Sequence, residues 1–250
     1  MLSYAFLQSN RPLAFAHRGG ALEAPENTLA AFAHAVGLGY RYIETDIQAT
    51  RDGVAVVFHD DDLARLAGRP QSVSELDWSE LRHLRVAGEP IPRFDELLAA
   101  WPELRINLEP KSDSAVVPMV EAIRNAGALD RVCVGCFQEA RVRRLRELLG
   151  PALCWSPGPF GVFRVWATGY GLPLGVPDCG ALQVPTQFRG IPLVTRNLIR
   201  AAHARDIQVH VWTVDERAEM ERLLDLGVDG LMTDRPSLLR DVLQCRGVWS

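Results

Sequence analysis

Residues 41–60 read RYIETDIQATRDGVAVVFHD, and residues 14–32 before them read AFAHRGGALEAPENTLAAF. Tyr42 to Ala49 is a strand-forming run, and residues two apart in a strand share a face, so Glu44 and Asp46 point the same way. Asp52-Gly53 is a two-residue hairpin signal between β-type runs. With that pair as the turn, Arg51 faces Val54 and His59 comes to lie across from Asp46. A one-residue bulge would shift this pairing. Upstream, the apolar run Leu13 to Ala16 ends in His17 and Arg18, followed at once by Gly19 and Gly20. A carboxylate pair facing one histidine, near a second histidine on an earlier strand, suits acid–base chemistry and is a poor way to build a core.

Outward from this stretch the pattern alternates. Leu29, Phe32, Ala33 and Val36 have helical spacing within Asn27 to Leu38, which Gly37 and Gly39 close. Glu26 and Asn27 are expected to set the start of that helix, since Asn is a favoured N-cap residue, with a contact at the rim as the alternative. Val54 to Phe58 is the returning arm of the hairpin. Residues 60 to 93 are irregular, with one helix predicted over Ser74 to Val86, and read as an insertion over the mouth of the fold. Beyond it, strands near 105, 132, 152, 181, 208 and 230 alternate with helices over 94–100, 115–125, 139–149, 161–168, 194–205, 216–226 and 237–243. Together with the strands near 13 and 42 this makes eight βα units, if the hairpin arm is an excursion. That number and length predict an α/β fold of the TIM (β/α)8 barrel type, a single domain over residues 1–250. No GxGxxG follows a strand, which argues against a doubly wound sheet. In a barrel, catalytic groups gather at the C-terminal strand ends, where His17, Glu44, Glu109, Lys111, Phe137, Trp212 and Asp234 all fall.

The composition narrows the function. A formal net charge of −4 argues against nucleic acid as a partner. No uninterrupted apolar stretch reaches membrane-spanning length, so no stable membrane insertion is expected. The first residues carry no secretory signal pattern. Five cysteines, an odd number, fit reduced thiols in the cytoplasm. Cys133 and Cys136 form a CxxC within a strand pattern. A redox pair normally opens a helix, so two separate structural cysteines are the reading.

Glu44, Asp46 and Glu109 converging on one rim would repel one another and raise at least one pKa. A divalent cation relieves this, and an all-oxygen set suits Mg²⁺ or Ca²⁺ better than zinc. The plainer alternative pairs these acids with Arg18, Arg41 or Lys111 in a structural network. His17 and His59 weigh against it, since imidazole titrates near working pH. Arg18 and Lys111 suit phosphoryl oxygens. These parts together describe metal-assisted phosphodiester cleavage.

HRGGALEAPENTLAAF, ETDIQATRDGVAVVFHD, NLEPK, VHVWTVD and GVDGLMTDRP, in this order, resemble the glycerophosphodiester phosphodiesterase family across nearly the whole chain. The resemblance implies a barrel hydrolase that cuts glycerophosphodiesters, its small-molecule partners, to glycerol 3-phosphate and an alcohol. It implies His17 and His59 as the acid–base pair, and Glu44, Asp46 and Glu109 as metal ligands. It implies Arg18 and Lys111 at the phosphate and Trp212 in the glycerol pocket; Phe137, which falls at the same rim, is a further expected substrate contact. Attack by a glycerol hydroxyl through a cyclic phosphate, and direct attack by water, would use the same residues. The alcohol headgroup, the preferred metal, the acid and base roles of the two histidines and the oligomeric state stay open.

The sequence departs from the family pattern at Pro110, which could displace Lys111, at Asp215 in VWTVD, and in LARLAGRPQSV after the HD motif. That last segment is expected to shape the alcohol pocket. His210 reads as packed inside the barrel, and His34, His83 and His203 as surface or satisfied residues. RVRRLR at 141–146 reads as a solvated helix face. Asp234 is either a rim ligand or a turn residue. The enzymatic alternative is a lysophospholipase D or sphingomyelinase D-like phospholipase, which an apolar cap from residues 60–93 would favour. The non-catalytic alternative is a phosphoglycerol-binding barrel, which a lost histidine or ligand would mark.

Overall fold

The computed structural model describes residues 4–9, 11–172 and 174–249. Eight parallel strands form the barrel: β1 (Leu13–His17), β2 (Tyr42–Ala49), β3 (Arg105–Pro110), β4 (Val132–Val134), β5 (Cys154–Trp155), β6 (Ala181–Pro185), β7 (Gln208–Trp212) and β8 (Gly230–Thr233). Their order is β5-β4-β3-β2-β1-β8-β7-β6. The short β5 forms no ladder with β6, but Gly180 N–H to the Trp155 carbonyl (3.2 Å) and Gln183 N–H to Ser156 Oγ (3.0 Å) cross the seam. Around the barrel run α1 (Leu29–Gly37), α2 (Phe94–Ala100), α3 (Val116–Asn125), α4 (Glu139–Leu149), α5 (Pro159–Thr168), α6 (Arg196–His203), α7 (Arg217–Leu226) and α8 (Pro236–Cys245). The α/β barrel read from the alternation is the fold observed.

The strands bury both faces, as a parallel sheet covered by helices requires. Every residue of β2 is buried, its polar Glu44 and Asp46 included. The floor is aromatic. Phe15 packs on Tyr42 (5.2 Å) and His210 (5.1 Å), and Phe6 of the short Ala5–Leu7 turn closes on Phe15 and Tyr42. His210 is fully buried, as expected, and bonds Gln208 through Nε2 at 2.9 Å. Gly230 is needed beside it, because a Cβ there would meet the His210 ring at 2.9 Å.

Several local expectations are corrected. The hairpin turn holds three residues, Arg51-Asp52-Gly53. Thr50 N–H bonds the Val54 carbonyl, Ala49 pairs with Ala55, and Gly53 takes φ +79. The Thr50 side chain stabilises the wider turn by accepting from Val54 N–H and donating to Asp52. The pairing therefore slips by one, and Phe58, not His59, lies across from Asp46. Such loops carry glycine at the left-handed position, which Gly53 supplies as readily as it would a two-residue turn. Thr28, not Asn27, caps α1, accepting from Ala31 N–H at 3.1 Å.

The helix predicted over Ser74 to Val86 is instead a turn at Val73–Glu75, one helical turn at Trp78–Leu81, and a hairpin of Arg85–Val86 with Glu89–Pro90. Ser72 and Asp77 both start capping boxes, which favour two short pieces over one run. Residues 60–93 start at the rim, where Asp60 and Arg65 meet His59 and Glu26, but none of them lines the cavity there. Leu63, Val73, Leu81, Val86 and Ile91 form a small core of their own with Val56 and Phe58, on the outer side of the hairpin.

Candidate active site

At the C-terminal strand ends, β1 delivers His17, β2 Glu44 and Asp46, and β3 Glu109, while the chain leaving the hairpin brings His59. The pairing that aligns them is His17 with Glu44 between β1 and β2, and Asp46 with Glu109 between β2 and β3. All line one cavity of about 460 Å³ together with Arg18, Lys111, Phe137 and Trp212. Every site residue read from the sequence is thus brought to one place.

Glu44, Asp46 and Glu109 offer carboxylate oxygens that all lie within 4.8 Å of one another. Burial drives the Glu44 pKa upward, and the neighbouring Asp46 adds to it; burial likewise raises Glu109. Three crowded acids that resist sharing their charge fit a hard divalent cation. Two cations partly balance them. Arg18 Nε lies 3.2 Å from Asp46, and Lys111 Nζ lies 3.6 Å from Asp46 and 3.4 Å from Glu109. Burial works against the charge on Lys111, but Asp46 and Glu109 hold its pKa above the ordinary value.

Pro110 does not displace Lys111. Lys111 N–H bonds the Ile47 carbonyl toward β2 at 2.9 Å, so the nitrogen of residue 110 faces the β4 side. β4 ends at Val134, opposite Leu108, so that position calls for no ladder donor. The Pro110 carbonyl accepts instead from Arg141 (3.2 Å), which also donates to the Lys111 carbonyl (2.7 Å). Arg141 is therefore a brace for this strand end rather than part of a solvated face.

Each histidine is held through Nδ1 by a carboxylate. Asp234 Oδ1 lies 2.7 Å from His17, and Asp60 Oδ1 lies 2.6 Å from His59. Burial opposes a charge on His17, but Glu44, 3.6 Å from Nε2, and the Asp234 bond outweigh it, and the pKa is pushed up to about 9. Asp234 is neither one of the three clustered acids nor a mere turn residue. Asp215 fixes it by accepting from its N–H (2.7 Å) and from Thr233 Oγ1 (2.9 Å). Asp60 is gripped by Arg65 at 2.7 and 3.1 Å, whose hydrogen bonds bring its pKa down to about 2. Arg65 also holds Glu26 at 2.8 Å through both oxygens, and Glu26 bonds Arg18 at 3.0 Å. Asn27, at φ +58, donates to Asp46 at 3.0 Å and accepts from Thr45. The PENT segment therefore closes a ring of contacts around the site. Glu26 and Asn27 make the rim contact that is the alternative to a helix start. Sequence reading missed Asp60 and Arg65, although Asp60 stands next to His59 in the HD motif.

The opposite wall is apolar. Phe137 meets the Trp212 ring edge-on at 5.7 Å, and beyond them Val162, Phe163, Trp166, Phe188, Ile191 and Leu193 continue the lining. None of residues 60–93 contributes to it. The wall that faces the acids is built by α5 and by the hairpin Gln187–Phe188/Ile191–Pro192. The LARLAGRPQSV segment therefore does not line this cavity, and bears on it only from behind, through Arg65 on Asp60 and Glu26.

The Glycerophosphoryl diester phosphodiesterase family model matches residues 17–238. The chain belongs to this family. It is a phosphodiesterase of the glycerophosphodiester class. It is 43% identical over 254 residues to the probable glycerophosphodiester phosphodiesterase 2 of Mycobacterium tuberculosis, covering 98% of this chain and 95% of that one. In fold it is similar to the putative glycerophosphoryl diester phosphodiesterase of Silicibacter pomeroyi (TM-score 0.83, 24% identity, 99% and 100% of the chains covered). It is also similar in fold to an Oleispira antarctica phosphodiesterase solved with the product sn-glycerol-3-phosphate (TM-score 0.78, 22% identity, 94% and 97% covered).

Proposed function

We propose that this enzyme hydrolyses glycerophosphodiesters to sn-glycerol 3-phosphate and an alcohol, with His17 and His59 as its acid–base pair and a divalent cation, Mg²⁺ or Ca²⁺, on Glu44, Asp46 and Glu109. The observation that carries the reading is the convergence on one cavity of two histidines, each oriented by its own carboxylate, with three acids whose oxygens lie within 4.8 Å. When bound, the cation would offset the negative charge that develops on the phosphoryl group. Arg18 and Lys111 would orient the phosphoryl oxygens as well as balancing Asp46, and the Trp212–Phe137 pair would hold the glycerol carbons by contact.

With Nδ1 of each imidazole engaged, Nε2 is the nitrogen left for proton transfer. One imidazole accepts the proton of the attacking hydroxyl as its oxygen bonds phosphorus. The other gives its proton to the alcohol oxygen as the P–O bond breaks. Attack by the substrate's own glycerol hydroxyl yields a cyclic phosphate that water then opens; attack by water gives the product directly. A diester whose glycerol 2-hydroxyl is removed separates the two, because only the second route can cleave it. The reading also keeps residues 1–250 as one domain in a reducing compartment, the cytoplasm. Five unpaired cysteines support it, including Cys133 and Cys154 side by side on adjacent strands. Among the described residues no helix is long and apolar enough to cross a membrane.

The test is release of glycerol 3-phosphate from glycerophosphocholine and glycerophosphoethanolamine, with Mg²⁺, with Ca²⁺ and with EDTA, beside His17→Ala and His59→Ala. Turnover should need the cation, and each substitution should lower kcat by about 10²–10⁴-fold. Full turnover in EDTA, or by either variant, would overturn the assignment.

A further inference from the structure

The two sides of the cavity mouth differ in kind. Of the ten large hydrophobic side chains exposed among the described residues, eight fall between Phe137 and Ile191. Phe160 and Phe163 stand on the outer face of α5, one helical turn apart, 63% and 48% exposed. Phe188 and Ile191 face outward from the hairpin at 52% and 57%. Phe163, Phe188 and Ile191 line the same cavity, so α5 and the hairpin form one continuous apolar edge. A contiguous exposed patch of this kind marks an interaction surface rather than the scatter of single apolar residues that any protein shows.

Charge identifies what the patch fits. Residues 156–200 contain four arginines against Asp178 alone. Arg164 and Arg189 belong to the patch, while Arg196 and Arg200 line a separate groove beside Asp225. Among the described residues none of the four arginines pairs with a carboxylate. Asp178 lies near Tyr4, which precedes β1. Two of the arginines sit beside the exposed rings, Arg164 at 5.9 Å from the Phe160 ring centre and Arg189 at 5.4 Å from that of Phe188. An aromatic ring with a guanidinium alongside matches the boundary between acyl chains and phosphate headgroups, where the ring enters the apolar layer and the cation meets the phosphate. A second copy of the chain meeting this face would bring like charges together.

We propose that α5 and the Gln187–Pro192 hairpin dock the enzyme on the surface of an anionic lipid bilayer, with the cavity mouth turned toward the headgroups. The contact is peripheral and adds no spanning segment. It does not rest on which diester is turned over, because docking is read without turnover.

Sedimentation with sucrose-loaded vesicles tests it, comparing equal parts phosphatidylcholine and phosphatidylglycerol with pure phosphatidylcholine. The wild type should sediment with the anionic vesicles and release in high salt. Phe160→Ser should weaken the partition at least about tenfold, as loss of one buried aromatic side chain implies. Arg164→Gln and Arg189→Gln should each weaken it about fivefold. Phe160 and Arg189 lie outside the cavity lining, so Phe160→Ser and Arg189→Gln should hydrolyse soluble glycerophosphocholine at the wild-type rate, which shows that they are folded. No sedimentation with either vesicle, or sedimentation that the variants leave unchanged, would overturn the proposal. A wild-type dimer in light scattering that Phe160→Ser dissociates would overturn it in favour of a second copy. Binding of monomeric lysophospholipid without vesicle binding would overturn it in favour of a single acyl chain.

Discussion

Two histidines point into the same barrel, half-buried His17 in the rim layer and fully buried His210 in the floor, and their surroundings drive them in opposite directions. Burial among rings is the one influence on His210, and it pushes the pKa down to about 3. Burial acts against a charge on His17 as well, yet Glu44 and Asp234 reverse the outcome and take it to about 9. Desolvation acts in the same sense at both levels, though His17 lines the open cavity and His210 is sealed below it. What separates a packing histidine from one suited to proton transfer is the acid placed on the neighbouring strand.

The comparison can be broken at Asp234. Replacing it with Asn leaves the shape in place but removes the charge that holds His17 Nδ1, so His17 moves toward the condition of His210. Loss of such a supporting carboxylate typically costs about 10- to 100-fold in activity. Asp234→Asn should therefore lower kcat by that amount with KM little changed, and the His17 ring should titrate lower in an NMR titration of the metal-free enzyme. Wild-type kcat in the variant would show that Asp234 only braces the turn after β8.

The floor gives the opposite test. In the folded chain His210 stays neutral down to about pH 3, while in the unfolded chain it takes a proton near pH 6.5. Between those values the unfolded state binds more protons, so this group's contribution to stability is fully present above pH 6.5 and is lost as pH falls through the window. From pH 7 to pH 5 the loss should be about 2 kcal/mol. His210→Met removes the titrating group and should show that much less acid destabilisation in urea unfolding at the two pH values. An unchanged pH dependence would mean that the imidazole is already reached by protons in the folded state.

Legibility in the sequence followed the same division between strands and what surrounds them. The eight strands were readable because each is a short apolar run with turn residues behind it, and period-two geometry then assigns Glu44 and Asp46 to one face without any tertiary information. His17, Glu109 and Lys111 came with them, since a barrel gathers C-terminal strand ends. Contacts set by loops were not readable. Asp52-Gly53 serves a two- or a three-residue turn equally well, so the register slipped by one. Arg65 reaches Glu26 across 39 positions, and no local pattern announces such a bond. The apolar edge was missed because Phe160 and Phe163 in α5 have the spacing of an ordinary buried face. Only the fold reveals that this face stays exposed.

The smallest effect expected is at Arg141, and it sharpens the comparison by asking how much support the rim layer needs. Arg141 touches none of the clustered acids; it donates to the carbonyls of Pro110 and Lys111 and pairs with Asp113, whose side chain is 90% exposed. The exposed ion pair contributes little. The two carbonyl bonds matter more, because they fix the backbone from which the Lys111 side chain reaches Asp46 and Glu109. Removing them with Arg141→Met should cost about 1 kcal/mol of stability, the usual net value of such a bond. Lys111 would still be present but less well placed. A severalfold rise in KM for the diester, with kcat held within about twofold, is the pattern for weakened uniform binding of the phosphate. A fall in kcat with KM constant would place Lys111 in stabilising the transition state instead, and would make the brace at Pro110 part of the chemistry of the rim.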